Sequence, residues 1–149
     1  MLVYADNAAT TEMSAAAKKA LFDATEHVWG NPSSLHSVGQ EAKTVLEGAR
    51  EKIAALLGSD PKEIYFTSGG SEADNQAIVS AARNGAKKGK KHIVSTKFEH
   101  HAVLHTLDRL AKDGFEVTLV DVHENGVVRP EEIAAAIRPD TCLVSVMYA

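Results

Sequence analysis

The stretch FTSGGSEADNQAI, residues 66–78, sets strand-forming residues, a Ser-Gly-Gly turn and a helix-like run in thirteen consecutive positions. Gly69 and Gly70 let the backbone turn sharply and let a ligand approach the main chain. The first amides of the helix that follows have no carbonyl one turn back to bond, and together with the helix dipole they favour an anion such as phosphate. The spacing matches neither GxxxxGK[ST] nor GxGxxG, so the mononucleotide and dinucleotide fingerprints are absent and a single small phosphate fits better. A second reading needs no ligand. Ser71 and Asp74 have the spacing of a Ser-x-x-Asp capping box, and Glu72 and Asp74 put negative charge in the first turn, which opposes an anion if they face it.

Outward from this turn, the rhythm is one of short apolar strands alternating with helices. Strands are predicted at residues 64–67, 92–95, 116–120 and 142–147, and helices at 71–83, 101–113 and 129–137, the last opened by Pro130 in its first turn. Such repeats imply right-handed crossovers and an α/β fold with helices on both faces of a mostly parallel sheet. Upstream, a short extended entry at Val3 and Tyr4 leads through a polar turn at residues 6–11 to a helix at 14–29, with Ala17, Leu21, Ala24 and Val28 on one face. GNPSS breaks it, and Ser33 or Ser34 caps a helix at about 35–57 whose stripe is Val38, Ala42, Val45, Ala49, Ile53 and Leu56. The organisation is one partial domain, with a helical segment at 1–58 and the start of an α/β sheet at 59–149. LVSVMYA runs an apolar strand into the chain's last residue, at the sheet edge where ligands usually bind, and so reads as part of a longer chain.

The 149 residues suffice for one domain with a core, and 44% apolar with 24% charged residues is the globular average. Sixteen Lys and Arg against twenty Asp and Glu leave a net charge of −4, which disfavours nucleic acid as a partner. The basic run KKGKK at 87–91 falls between a helix and a strand and reads as a solvated loop. The amino terminus carries Asp6 and lacks the basic and apolar regions of a secretion signal, and no stretch approaches the ~20 apolar residues of a membrane span. One cysteine, Cys142, allows no internal disulfide and fits a reducing, cytoplasmic setting. Within an apolar strand its thiol reads as buried and inert rather than nucleophilic.

Two further segments carry candidates. STKFEHHAVLH, residues 95–105, places Glu99, His100 and His101 at the end of a strand, on the same sheet edge as Gly70. An imidazole there can stack on an aromatic ligand and transfer protons near neutrality, or the histidines are a solvated or capping pair. His101 and His105 share a helical face but have no third ligand close in sequence, so no residue is assigned to a metal site. GNPSSLHSVG, residues 30–39, reads as a turn and a helix cap, which leaves His36 unexplained.

YADNAATT at 4–11, GNPSSLHSVG, FTSGGSEADNQAI, EHHAVLHT at 99–106 and the closing VSVMYA occur in an order that resembles the N-terminal part of the cysteine desulfurases. These are pyridoxal 5'-phosphate enzymes of iron-sulfur cluster assembly in the class V aminotransferase group, with the fold type I large domain. The resemblance covers essentially the whole chain. It implies an enzyme that takes sulfur from L-cysteine as a persulfide, leaves L-alanine, passes the sulfur to an acceptor or iron-sulfur scaffold protein, and works as a homodimer. It further implies that Gly70 and Ser71 hold the cofactor phosphate through backbone amides and the Ser71 hydroxyl, where the family usually has Thr. His100 matches the histidine that stacks on the pyridine ring and helps to move protons, while His101 matches a variable neighbour. Glu72 and Asp74 must then face away from the phosphate. The loops holding Asn7, Ala8 and His36 match segments bordering the active site or the dimer partner. The family's cofactor-bearing lysine, pyridinium aspartate, ring-oxygen glutamine, substrate arginine and persulfide cysteine match nothing here, and Lys97 is not that lysine. The 149 residues alone are therefore not expected to catalyse desulfuration. A sister activity such as selenocysteine lyase or aminotransferase, or a non-catalytic phosphate-binding domain, are the alternatives.

Overall fold

The computed structural model describes residues 1 and 3–148. The chain divides into two compact units, Met1–Phe66 and Thr67–Ala149.

In the first unit, helix α1 spans Ala15–His27 and is capped by Ser14, whose hydroxyl accepts the Ala17 amide at 3.2 Å. Helix α2 spans Ser37–Leu57 and stops at Gly58, whose φ of 68° suits a residue without Cβ. Its cap differs from expectation. His36, not Ser33 or Ser34, heads the helix, with Nδ1 accepting the Gly39 amide at 3.3 Å. The serines are excluded because Asn31 and Ser34 already close a turn upstream, with the Ser34 amide donating to the Asn31 carbonyl at 2.9 Å. This loop is tightly folded: a Cβ on Gly30 would lie 2.3 Å from the Val38 carbonyl oxygen, and one on Gly39 2.7 Å from that of Asn31. The α2 stripe is buried at Ala42 but exposed at Val45 and Leu56.

The expected strand at 64–67 does not form. After a turn at Pro61–Glu63 capped by Asp60, the Ile64 amide donates to the Pro61 carbonyl and the Ile64 carbonyl accepts from the Arg50 guanidinium. Its main-chain groups are thus committed locally, and no described strand pairs with it. Tyr65 and Phe66 remain exposed, the latter with the Arg50 guanidinium 5.0 Å from its ring centre.

In the second unit, helix α3 (Gly70–Ala86), strand β1 (His92–Thr96), helix α4 (His101–Lys112), strand β2 (Glu116–Val120), helix α5 (Pro130–Ala136) and strand β3 (Thr141–Val144) follow in order. The strands form a parallel sheet ordered β2-β1-β3, with Ile93 opposite Val117 and Leu143. Because β1 to β2 runs one way across the sheet and β2 to β3 runs back past β1, right-handed crossovers put α4 and α5 on opposite faces. The expected α/β architecture is therefore present. β1 is buried throughout, as a central parallel strand should be. Ile78 and Ala82 of α3 pack with Val103, Leu107 and Leu110 of α4 over Ile93, forming the core. The chemistry-bearing segments lie at the carboxyl end of β1, where the strand order reverses, the usual ligand position in open α/β sheets.

Candidate functional site

Each of the two helices beside the β1 carboxyl end begins with amides or a histidine in place of a conventional cap. Helix α3 has Gly69 as N-cap with no side-chain cap, so the Ser71–Asp74 capping box does not form. Among the described residues the amides of Gly70 and Ser71 and the Ser71 hydroxyl have no hydrogen-bond partner. A Cβ placed on Gly69 or Gly70 would meet nothing within 4 Å, so the turn is uncrowded at both glycines. Unpaired amides at an uncrowded helix start suit a phosphate-sized anion.

Glu72 reaches back to accept the Ser68 amide at 2.6 Å, a bond that lowers its pKa below the usual carboxylate range. The first turn of α3 thus holds both free donors and a persistent negative charge.

His100 heads α4, its Nδ1 accepting the Ala102 amide at 3.1 Å. With Nδ1 so used, the neutral ring carries its proton on Nε2. The ring is exposed, and His101 lies edge-on to it at 6.3 Å between centroids. His101 and His105 stand 5.6 Å apart, and among the described residues no group of three or more His, Cys, Asp or Glu could hold a metal ion.

What joins these two helix starts is a residue the sequence did not single out. The Asn75 Nδ2 donates to the Ser71 carbonyl at 2.6 Å and lies 3.4 Å from the Ala102 carbonyl, so the first turns of α3 and α4 sit side by side. The buried Thr106 hydroxyl donates to Asn75 Oδ1. Glu99, which the sequence placed beside His100 without a role, holds the same region. It is 6% exposed, and its Oε1 accepts the Thr96 hydroxyl at 2.9 Å and the Met147 amide at 2.7 Å. It thereby fixes the β1–α4 corner that carries His100 to the segment following β3. A polar residue in a helical run four positions after Ser71 was the available signal for Asn75, since Asn is a weak helix former.

Other candidates stand apart from this cluster. Lys97 pairs with Asp121 at 2.6 Å. The Cys142 thiol donates to the His92 carbonyl at 3.3 Å, and burial raises its pKa, as expected of an inert thiol. His92, buried in β1, spans the sheet between Thr118 at 2.9 Å and Thr141 at 2.7 Å. Ser95 in β1 has a buried hydroxyl without a partner.

An α/β unit with unpaired helix-start amides and an exposed imidazole at the strand ends has the geometry of the class of proteins that take small anionic ligands at this edge of the sheet. Residues 3–149 match the aminotransferase class-V model, and the chain belongs to that family, whose members depend on pyridoxal phosphate. It is 49% identical over 148 residues to the cysteine desulfurase IscS of Neisseria meningitidis serogroup A, covering 99% of this chain and 36% of the relative. It is 46% identical over 147 residues to IscS of Methanosarcina thermophila, covering 99% and 36%. A solved NifS-like protein superposes with a TM-score of 0.92 at 41% identity, covering all of this chain and 41% of that one. DndA from Streptomyces lividans superposes with a TM-score of 0.84 at 37% identity, covering 99% and 41%. The chain thus spans a little over a third of the length of the curated relatives it matches.

Proposed function

We propose that this chain forms part of a cysteine desulfurase and contributes the phosphate cradle and ring-stacking side of a pyridoxal-phosphate site. The observation that carries this reading is the pair of unpaired amides at Gly70 and Ser71 beside the exposed ring of His100. The names borne by its relatives support it. Gly70 and Ser71 bind the phosphate through N–H groups and the Ser71 hydroxyl, and His100 lies against the pyridine ring and holds a proton on Nε2. Bound there, the cofactor would supply the electron sink for removing sulfur from L-cysteine. The same reading includes one partial α/β domain over residues 1–149, a homodimer, delivery of sulfur to an acceptor or iron-sulfur scaffold protein, and a cytoplasmic setting. No helix among the described residues is long and apolar enough to cross a membrane.

The test is a titration of the 149-residue chain with pyridoxal phosphate, followed by amide and imidazole NMR shifts. Gly70, Ser71 and His100 should move together. Shifts confined to lysine-rich surface segments, or none at all, would reject the reading. Ser71→Ala removes one donor to a charged acceptor and should weaken binding about tenfold, and an unchanged dissociation constant would remove the hydroxyl from the cradle. Glu72→Gln should have the opposite sign. Because the Ser68 bond keeps Glu72 ionised below the usual carboxylate range, its repulsion persists throughout neutral pH. The Gln variant should bind inorganic phosphate about two- to threefold more tightly at low salt, a gain that fades as salt screens it.

A further inference from the structure

We propose that Asn75 is a positioning residue that locks the phosphate-holding turn of α3 to the histidine-bearing turn of α4. This rests on the cofactor reading above and adds to it a residue that touches neither phosphate nor ring. The geometry is specific. Asn75 lies one turn into α3, and its Nδ2 bonds the Ser71 carbonyl at 2.6 Å, in the same peptide chain segment as the free amides. From the same nitrogen the Ala102 carbonyl lies at 3.4 Å, two residues beyond His100. The acceptor side is filled by the Thr106 hydroxyl, one turn into α4.

The assignment of nitrogen and oxygen in the Asn75 amide follows from its partners. Two backbone carbonyls can only accept, so the amide nitrogen must face them, which leaves Oδ1 for the hydroxyl. Thr106 has one proton, and its alternative acceptor is the Ala102 carbonyl at 2.8 Å, the usual back-bond of a helical threonine. Asn75 draws that hydroxyl out of a purely intrahelical role and makes it a cross-helix contact. The apolar packing of Ile78 and Ala82 against Val103 and Leu107 holds the helix bodies together. It anchors α4 from Val103 in its first turn, but reaches α3 only at Ile78, so the opening turn of α3 with Gly70 and Ser71 projects beyond it. Hydrogen bonds are directional, and this one trio sets the register of that turn against α4.

A ligand that uses only α3, such as inorganic phosphate, is insensitive to where α4 begins. A ligand with a phosphate at one end and an aromatic ring at the other must satisfy both helices at once, and misplacement of one end costs affinity. Loss of the lock therefore separates the two affinities, whereas general loosening of the fold lowers both.

The experiment measures dissociation constants of pyridoxal phosphate and of inorganic phosphate for the 149-residue chain and for Asn75→Ala, Thr106→Val and Thr106→Ser, with thermal unfolding of each. Asn75→Ala and Thr106→Val should weaken pyridoxal phosphate about five- to tenfold while changing phosphate less than about twofold, and Thr106→Ser, which keeps the hydroxyl, should resemble the parent. If Asn75→Ala fails to fold, the near-isosteric Thr106→Val carries the comparison. Equal loss of both ligands, or no loss of either, would overturn the positioning role and leave the cofactor reading standing. Failure of the parent chain to bind pyridoxal phosphate would overturn both.

Discussion

Gly85→Ala should destabilise the second unit by about 2–4 kcal/mol, a large share of the ~5–15 kcal/mol that holds a domain together. Gly85 is buried near the end of α3, where that helix lies on β3. A Cβ there would sit 2.2 Å from the Cys142 Cβ and 3.0 Å from its sulfur. The Cys142 Cβ cannot yield cheaply, because a Cβ moves only with its backbone. The Gly85 carbonyl also accepts the Lys88 and Lys90 amides at 2.8 and 3.0 Å, the bonds that turn the chain toward β1. Urea unfolding of the single variants and of Gly85→Ala with Cys142→Gly measures the effect. Cys142→Gly removes the struck atom, so the pair should show a favourable coupling of about 1 kcal/mol or more. A Gly85→Ala variant within ~0.5 kcal/mol of the parent would show that α3 and β3 do not pack this closely.

Glu99→Ala should cost about 2–4 kcal/mol, since it strands the buried Thr96 hydroxyl and the Met147 amide together, each worth ~1–3 kcal/mol when left unpaired. Glu99→Gln keeps an oxygen acceptor in the same place and should recover most of that loss. The readout that separates this from ordinary core damage is His100. Its imidazole resonances should shift in Glu99→Ala and stay close to the parent in Glu99→Gln, because Glu99 fixes the corner that presents the ring. Equal loss in the Ala and Gln variants would mean that the carboxylate's shape or charge, rather than its acceptor role, is what the corner requires.

Both residues show how differently the fold and the site were written into the chain. Alternating apolar runs and helical stripes made the parallel sheet legible, because side chains buried on both faces of β1 leave a continuous apolar signature. The Ser-Gly-Gly turn made an open helix start legible, since only a few residue types allow so close an approach to the backbone. The expected strand at 64–67 fails because β-propensity describes fitness for a pleated surface, and none of the described strands pairs with these residues. The capping reading of Ser71 and Asp74 fails because the helix starts at Gly70 with Gly69 as its cap, which puts Ser71 inside the first turn, a starting point that spacing alone does not fix.

The sequence by itself determined the order of the strands and helices from α3 onward, the glycine turn that opens α3, and the placing of His100 shortly after a buried strand. Each depends on local backbone chemistry, which a short stretch of chain contains in full. Only the tertiary structure decided that Asn75 meets Ala102 and Thr106, that Glu99 reaches Met147, and that Gly85 must lack a side chain beside Cys142. Those contacts join residues far apart along the chain, and their geometry exists only once the sheet has set which helix starts lie together.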